Sequence, residues 1–247
     1  EEHPMIFPAI AAIVLTLASN CFAADTPQPE EGFVSLFDGK TLNGWKVGEN
    51  ADLFQVRDGM IVMDCPATVQ SPAHLFYVGD VHRHDFKNFD LKVDVMTFPK
   101  ANSGIYFHTT YQESGWPNSG IECQVNNSHV DWRRTGSLWA LKNISWGPET
   151  PPKDNKENVT ILPKPLVTDS VWYTEEVIYQ DGRITVKLDG KTVLEYTVSD
   201  ADIKHTIPNN TGTWLPRGTF ALQGHPPMPG QISKVCFKNI RVKVLPD

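Results

Sequence analysis

The 247-residue sequence predicts an all-β fold of two stacked antiparallel sheets, and three observations lead there. From Gly32 onward, short runs rich in valine, isoleucine and aromatic residues alternate apolar and polar positions with a period of two, the mark of a half-buried strand. Asp58-Gly59, Asp181-Gly182 and Asp189-Gly190 separate such runs, and these dipeptides accept the positive φ angles of tight hairpin turns. No segment sustains an apolar stripe at helical spacing. Roughly a dozen such strands bury their apolar faces only in two stacked sheets or a closed barrel; the sandwich is the favoured arrangement. With 40% hydrophobic and 21% charged residues, the chain has the composition of a globular domain rather than a disordered or fibrous one.

Taken in order, the chain begins with residues that differ from the rest. Ile6 to Leu17 is almost wholly apolar but too short to span a bilayer comfortably, and Cys21-Phe22-Ala23 supplies the small-x-small pattern of a cleavage site. Residues 1–23 are therefore expected to be a signal peptide, 24–31 a linker, and 32–247 one domain. The expected product is exported, periplasmic or secreted, with no stable membrane insertion after cleavage. A positively charged start is missing, and Ala18-Ser19-Asn20 is a poor approach to a lipidated Cys21. Beyond the leader, Cys65, Cys123 and Cys236 allow one disulfide at most, or three buried apolar thiols.

Phe54-Gln55-Val56 and Met60-Ile61-Val62 form the first expected hairpin around Asp58-Gly59. Further strands are expected at Phe89 to Thr97, Gly104 to Tyr111, Ile121 to Asn126 and Leu138 to Leu141. Asn143 to Thr168 holds five prolines without alternation and reads as a long loop over one end of the sandwich. Trp172 to Val198 reads as a three-strand meander, and Thr219 to Gln223 and Val235 to Leu245 close the series. A net charge of −7 argues against a nucleic-acid partner, because a phosphate backbone would be repelled. No Gly-x-Ser-x-Gly elbow and no glycine-rich loop leading into a helix is present, which removes serine-hydrolase and phosphate-binding readings.

Three of these strands place hydrogen-bonding residues on one face. If Ile121 to Asn126 is extended, Glu122, Gln124 and Asn126 share a side while Ile121, Cys123 and Val125 face the core. The same parity pairs Tyr106 with His108 and Gln223 with His225, and Asn102 precedes the second strand. Ordinary wet faces favour Lys, Glu and Thr, whereas Gln, Asn, Tyr and His hydrogen-bond sugar hydroxyls in fixed geometry. Trp116, Trp132, Trp139 and Trp146 fall in the same third of the chain, and an exposed one would stack on a sugar. The partner so indicated is a carbohydrate. His82-Arg83-His84-Asp85 offers a second pair of histidines if extended, against the alternative of a solvated loop.

Several motifs carry a resemblance. Gly32-Phe33-Val34-Ser35-Leu36-Phe37-Asp38-Gly39-Lys40-Thr41-Leu42-Asn43-Gly44-Trp45, Asn102-Ser103-Gly104-Ile105-Tyr106-Phe107, Gly120-Ile121-Glu122-Cys123-Gln124, Thr135-Gly136-Ser137-Leu138-Trp139, Leu222-Gln223-Gly224-His225 and Val235-Cys236-Phe237-Lys238-Asn239-Ile240-Arg241-Val242 occur in that order. Together they resemble the 3-keto-disaccharide hydrolase family over nearly all of residues 32 to 245. The resemblance implies a concanavalin-like jelly-roll sandwich, exported by bacteria and acting on glycosides oxidised at C3. Pro226, Pro227 and Pro229 depart from its pattern at one rim of the groove.

A ketone at C3 acidifies the C2 hydrogen, so a base can remove it, the C1 substituent can leave, and water can add to the unsaturated sugar. Such chemistry needs a base at C2, a group that stabilises the enolate oxygen, and an acid at the glycosidic oxygen. Glu122, His225 and His108 are the expected catalytic residues, Glu122 as base or metal ligand and the histidines as proton carriers or ligands. Asn102, Tyr106, Gln124, Asn126, Trp139, Lys142 and Gln223 are the expected substrate contacts, with Lys142 a candidate cation. A divalent cation held by Glu122, His108 and His225 is a further candidate for the enolate, although residues on separate strands show no diagnostic ligand spacing. Two other readings stay open: a non-catalytic sugar-binding sandwich, and a conventional glycosidase in which Glu113 or Asp131 partners Glu122.

Overall fold

Among the described residues the chain forms fifteen strands: β1 (Val34–Ser35), β2 (Trp45–Val47), β3 (Phe54–Arg57), β4 (Met60–Cys65), β5 (Ala73–Tyr77), β6 (Phe89–Thr97), β7 (Ser103–Thr109), β8 (Ile121–Val125), β9 (Asn143–Trp146), β10 (Val159–Leu162), β11 (Tyr173–Gln180), β12 (Arg183–Leu188), β13 (Lys191–Thr197), β14 (Thr219–Gly224) and β15 (Ser233–Val244). The computed structural model describes residues 30–147, 158–204 and 214–247. The expected signal peptide and most of the expected linker lie outside the described residues.

An eight-stranded sheet runs in the order β13-β12-β11-β6-β15-β4-β3, with β1 added alongside β15; a five-stranded sheet runs β2-β5-β14-β7-β8. All pairings in both are antiparallel, and the two pack face to face as a jelly-roll sandwich. The core lies between them. Strand β6 shows why: Phe89, Leu91, Val93 and Val95 are buried in strict alternation with half-buried polar residues. The three aspartate-glycine turns behave as expected, both residues of each taking positive φ, from 47° at Asp181 to 86° at Gly182. All three described cysteines are free and buried.

The five-stranded sheet departs from simple alternation. Every residue of β5, β7, β8 and β14 is buried, because one face meets the core and the other lies under loops. That is why Ala-His-Leu-Phe-Tyr in β5 carried no period-two signal. Two expectations are corrected here. Asn143 to Thr168 is not strand-free: β9 and β10 pair in parallel, with Asn143 opposite Val159. Leu138 to Leu141 is a tight turn rather than a strand, closed by the amide of Lys142 on Leu138 O (2.9 Å), with Ala140 at φ 62°.

Candidate active site

The site grows from the register of the five-stranded sheet. Tyr106 pairs with Glu122 on one side and Ala221 on the other, and Ala221 pairs with Phe76. The next row on the same face carries His74 opposite Gln223 and Gly104 opposite Gln124. His225 and Asn102 follow just beyond the strand ends. Above these rows lies a cavity of about 240 Å3. Glu122, Gln124, Gln223 and Asn102 form one part of its wall, and Trp116, Asp131, Trp139 and His225 the rest.

Glu122 is the centre of this arrangement. Its carboxylate accepts a hydrogen bond from the Tyr106 hydroxyl (2.8 Å) and one from Gln223 Nε2 (2.9 Å). The room for this posture comes from Gly104: any Cβ there would collide with the Glu122 carboxyl. Burial pushes the Glu122 carboxyl up to about 7, against the downward pull of Tyr106 and Gln223. Gln124 Nε2 donates to Asn102 Oδ1 (2.9 Å), holding both amides at the rim.

His225 stands across the cavity with Nδ1 at 2.6 Å from Pro226 O. A carbonyl only accepts, so Nδ1 bears the proton and Nε2 is left for chemistry. Burial lowers its pKa, and the Pro226 carbonyl opposes that. A raised carboxyl and a lowered imidazole bring two affinities for the proton close together. Among the described residues no three His, Cys, Asp or Glu side chains gather as metal ligands.

β8 is the edge strand of its sheet, and the segment that follows straps it. Gln124 N donates to Ser137 O (2.8 Å), Gly136 N to Gln124 O (2.9 Å) and Trp139 N to Glu122 O (3.0 Å), which sets Trp139 on the cavity wall. The loop that supplies Asp131 hangs on Asn126. Its Nδ2 donates to Asp131 O (3.0 Å) and Arg133 O (2.7 Å), and its Oδ1 accepts from His129 N (2.9 Å) and Arg134 (3.1 Å). Asn126 thus shapes the loop and does not line the cavity, contrary to the expected sugar contact.

Other expected residues are also placed elsewhere. His108 does not join Glu122. The pairing of β14 with β7 slips between Thr219 and Ala221, and His108 takes φ 52°; this bulge reverses the parity beyond Tyr106. Its ring packs on Tyr179 (4.4 Å) and Phe89, and Nε2 donates to Lys87 O (2.9 Å). Lys142 is half-buried in the turn after Trp139 and does not reach the cavity, and Glu113 is exposed away from it. His82, Arg83 and His84 all take left-handed φ, so their segment is a tight, exposed 3-10 turn rather than an extended one, with His82 stacked on Phe86. Trp132 lies under Arg133, and Trp146 is buried in the core.

Two further histidines of the described residues lie at this site without a sequence signal strong enough to place them. His74 lies on this face with its ring edge-on to Tyr106 (5.3 Å) and Trp116 (5.8 Å). His129 is 5.9 Å from His225. The signal for His74 was the lone polar residue in an otherwise apolar run of five.

Comparison with known proteins bears on the fold and the family. A 3-keto-disaccharide hydrolase of Bacteroides thetaiotaomicron is 24% identical over 92% of this chain and 83% of its own. A solved Parabacteroides distasonis protein, provisionally named a glycosyl hydrolase, superposes with TM-score 0.61 at 24% identity, over 87% of this chain and 95% of its own. A Bacillus subtilis protein of galectin-like fold does so at 0.53 and 14% identity, over 85% and 94%. The model of the 3-keto-alpha-glucoside-1,2-lyase-like domain matches residues 32–243, and the chain belongs to that family.

Proposed function

We propose that this protein cleaves 3-keto-glycosides by elimination across C1 and C2 followed by water addition, with Glu122 as the base. The observation that carries this reading is the Glu122 carboxylate at the cavity wall, its oxygens fixed by Tyr106 and Gln223 and its proton affinity raised to near neutrality. A base tuned this way is matched to a carbon acid at neutral pH.

In the cycle, ionised Glu122 takes the C2 proton and the electron pair passes into the enolate. The enolate reforms the ketone, C1=C2 forms, the C1–O bond breaks, and protonated His225 Nε2 gives its proton to the leaving oxygen. Water then adds at C1, losing a proton to His225 Nε2, while Glu122 returns its proton to C2. The Pro226 carbonyl favours the imidazolium needed at the start. Asn102, Gln124 and Gln223 bind sugar hydroxyls, and Trp116 and Trp139 offer stacking surfaces.

Incubation of the purified protein with a 3-keto-glucoside is expected to release the aglycone, with kcat/KM bell-shaped in pH. The alkaline limb falls near 7 as Glu122 and His225 lose their shared proton. Glu122→Gln is expected to remove turnover with the fold retained; unaffected turnover overturns the assignment. Release that stops in a chelator assigns the enolate to a divalent cation, and release that continues assigns it to side chains. Asp131 lines the same cavity, which favours a two-carboxylate glycosidase as the second reading. That reading requires cleavage of unoxidised glucosides, and a purely sugar-binding module requires affinity without release.

A further inference from the structure

Among the described residues the cavity wall holds no lysine or arginine, so a negative charge developing on the C3 oxygen is to be met there by uncharged donors or by His225. His74 is the unexplained polar group beside it. It is 2% exposed, and neither ring nitrogen has a hydrogen-bond partner among the described residues. An imidazole always carries at least one N–H, and leaving such a donor buried and unpaired is destabilising. Its strand position is opposite Gln223, whose side chain lines the cavity and holds Glu122. The indole of Trp116, itself on the cavity wall, packs on both His74 (5.8 Å) and His225 (5.4 Å), whereas His74 is not part of that wall.

That indole is held by ring packing alone. The loop under it is pinned through backbone atoms: Gln112 Nε2 donates to Ser114 O (2.6 Å) and Trp116 O (2.7 Å), and Gly115 N donates to Glu49 (2.8 Å). The Trp116 N–H itself has no partner among the described residues, so rotation breaks no hydrogen bond.

We propose that His74 is a substrate-contacting residue of this cavity, uncovered when the Trp116 indole turns aside and donating its ring N–H to the C3 oxygen of the keto sugar. The assignment rests on the elimination reading above. His74 keeps its proton throughout; the electron pair resting on the C3 oxygen is held by the hydrogen bond until the C1–O bond breaks. Burial, with His225 nearby, lowers the His74 pKa to about 3, so the ring remains an uncharged donor across the working range. An uncharged imidazole polarising a carbonyl is an established catalytic device.

The test uses the full chain with 15N-labelled histidine and 3-keto-glucose as the probe. The ring signals of His74, identified by their loss in His74→Phe, are expected to shift saturably as the probe is added. No shift at saturating probe overturns the assignment. Cleavage of a 3-keto-glucoside with unshifted His74 removes His74 alone, whereas a shift without cleavage keeps the contact and overturns the elimination reading. His74→Phe fills the same space without unpaired nitrogens, so its Tm is expected to hold or rise while kcat/KM falls about 100-fold. His74→Gln, which restores a donor, is expected to recover part of that loss. Unchanged kinetics in His74→Phe mean the ring is packing only and sink the proposal.

Discussion

Gly104 shows how one missing side chain positions a reactive one. The Glu122 carboxyl leans over Gly104 to reach Gln223, and it is the flexible end of Glu122 that a new Cβ would meet. Gly104→Ala should therefore fold and yet displace the carboxylate. We expect kcat/KM to fall about 100-fold, the scale of a misplacement near 1 Å, with little change in Tm. A thermal melt beside a kinetic assay checks it; equal losses in both would point to a packing defect. The legible part of the site follows the same residue logic. Glu122, Gln124 and Gln223 were readable because their strands alternate without interruption. His108 departs from the expected parity because a bulge leaves no period-two trace, and His74 gives no alternation signal because both faces of β5 are covered.

At the scale of elements, the loop between β8 and β9 is held from one side chain. Asn126 is fully buried and spends both ends of its amide on this loop, which brings Asp131 to the cavity and His129 to His225. Asn126→Ala removes the side-chain partner of Arg133 O and of His129 N and weakens the hold on Asp131 O and Arg134. It is expected to cost about 2–4 kcal/mol in denaturant unfolding and to raise KM more than it lowers kcat. A change confined to kcat would contradict a loop-shaping role. The expected strands coincide with β3, β4, β6, β7, β8 and β11 to β15, and the alternation is plainest in β6, which keeps one wetter face. Strands β9 and β10 were hidden by a proline-rich surrounding and by the uniform burial of Asn143 to Trp146.

Across the whole molecule, buried titratable groups set opposing pH dependences. Glu175 lies in the core against the Cys123 thiol (2.9 Å), and burial pushes its carboxyl up to about 8; Glu122 is raised to about 7. Both hold protons in the folded state that the unfolded chain releases above about 4.5, so stability falls as pH rises from there to about 8. His74 and His108 work the other way. Their folded-state values are lowered to about 3 and 4, so the unfolded chain takes up protons below 6.5 and stability falls with acid. Between 4.5 and 6.5 the two effects oppose each other, and denaturant midpoints are expected to form a plateau there, declining on both sides. Glu175→Gln should flatten the alkaline decline; a decline that persists unchanged would place its origin elsewhere.

The strap along β8 has a bearing on more than catalysis. An edge strand offers unpaired amides and carbonyls to any other extended chain, and this one is uniformly buried and carries the carboxylate proposed as the base. The bonds from Gln124, Gly136 and Trp139 cap that edge without adding a strand to the sheet. Loosening the strap would open a template for intermolecular pairing beside the cavity where we propose the sugar binds. In this fold the route to losing activity and the route to aggregation begin at the same peptide groups.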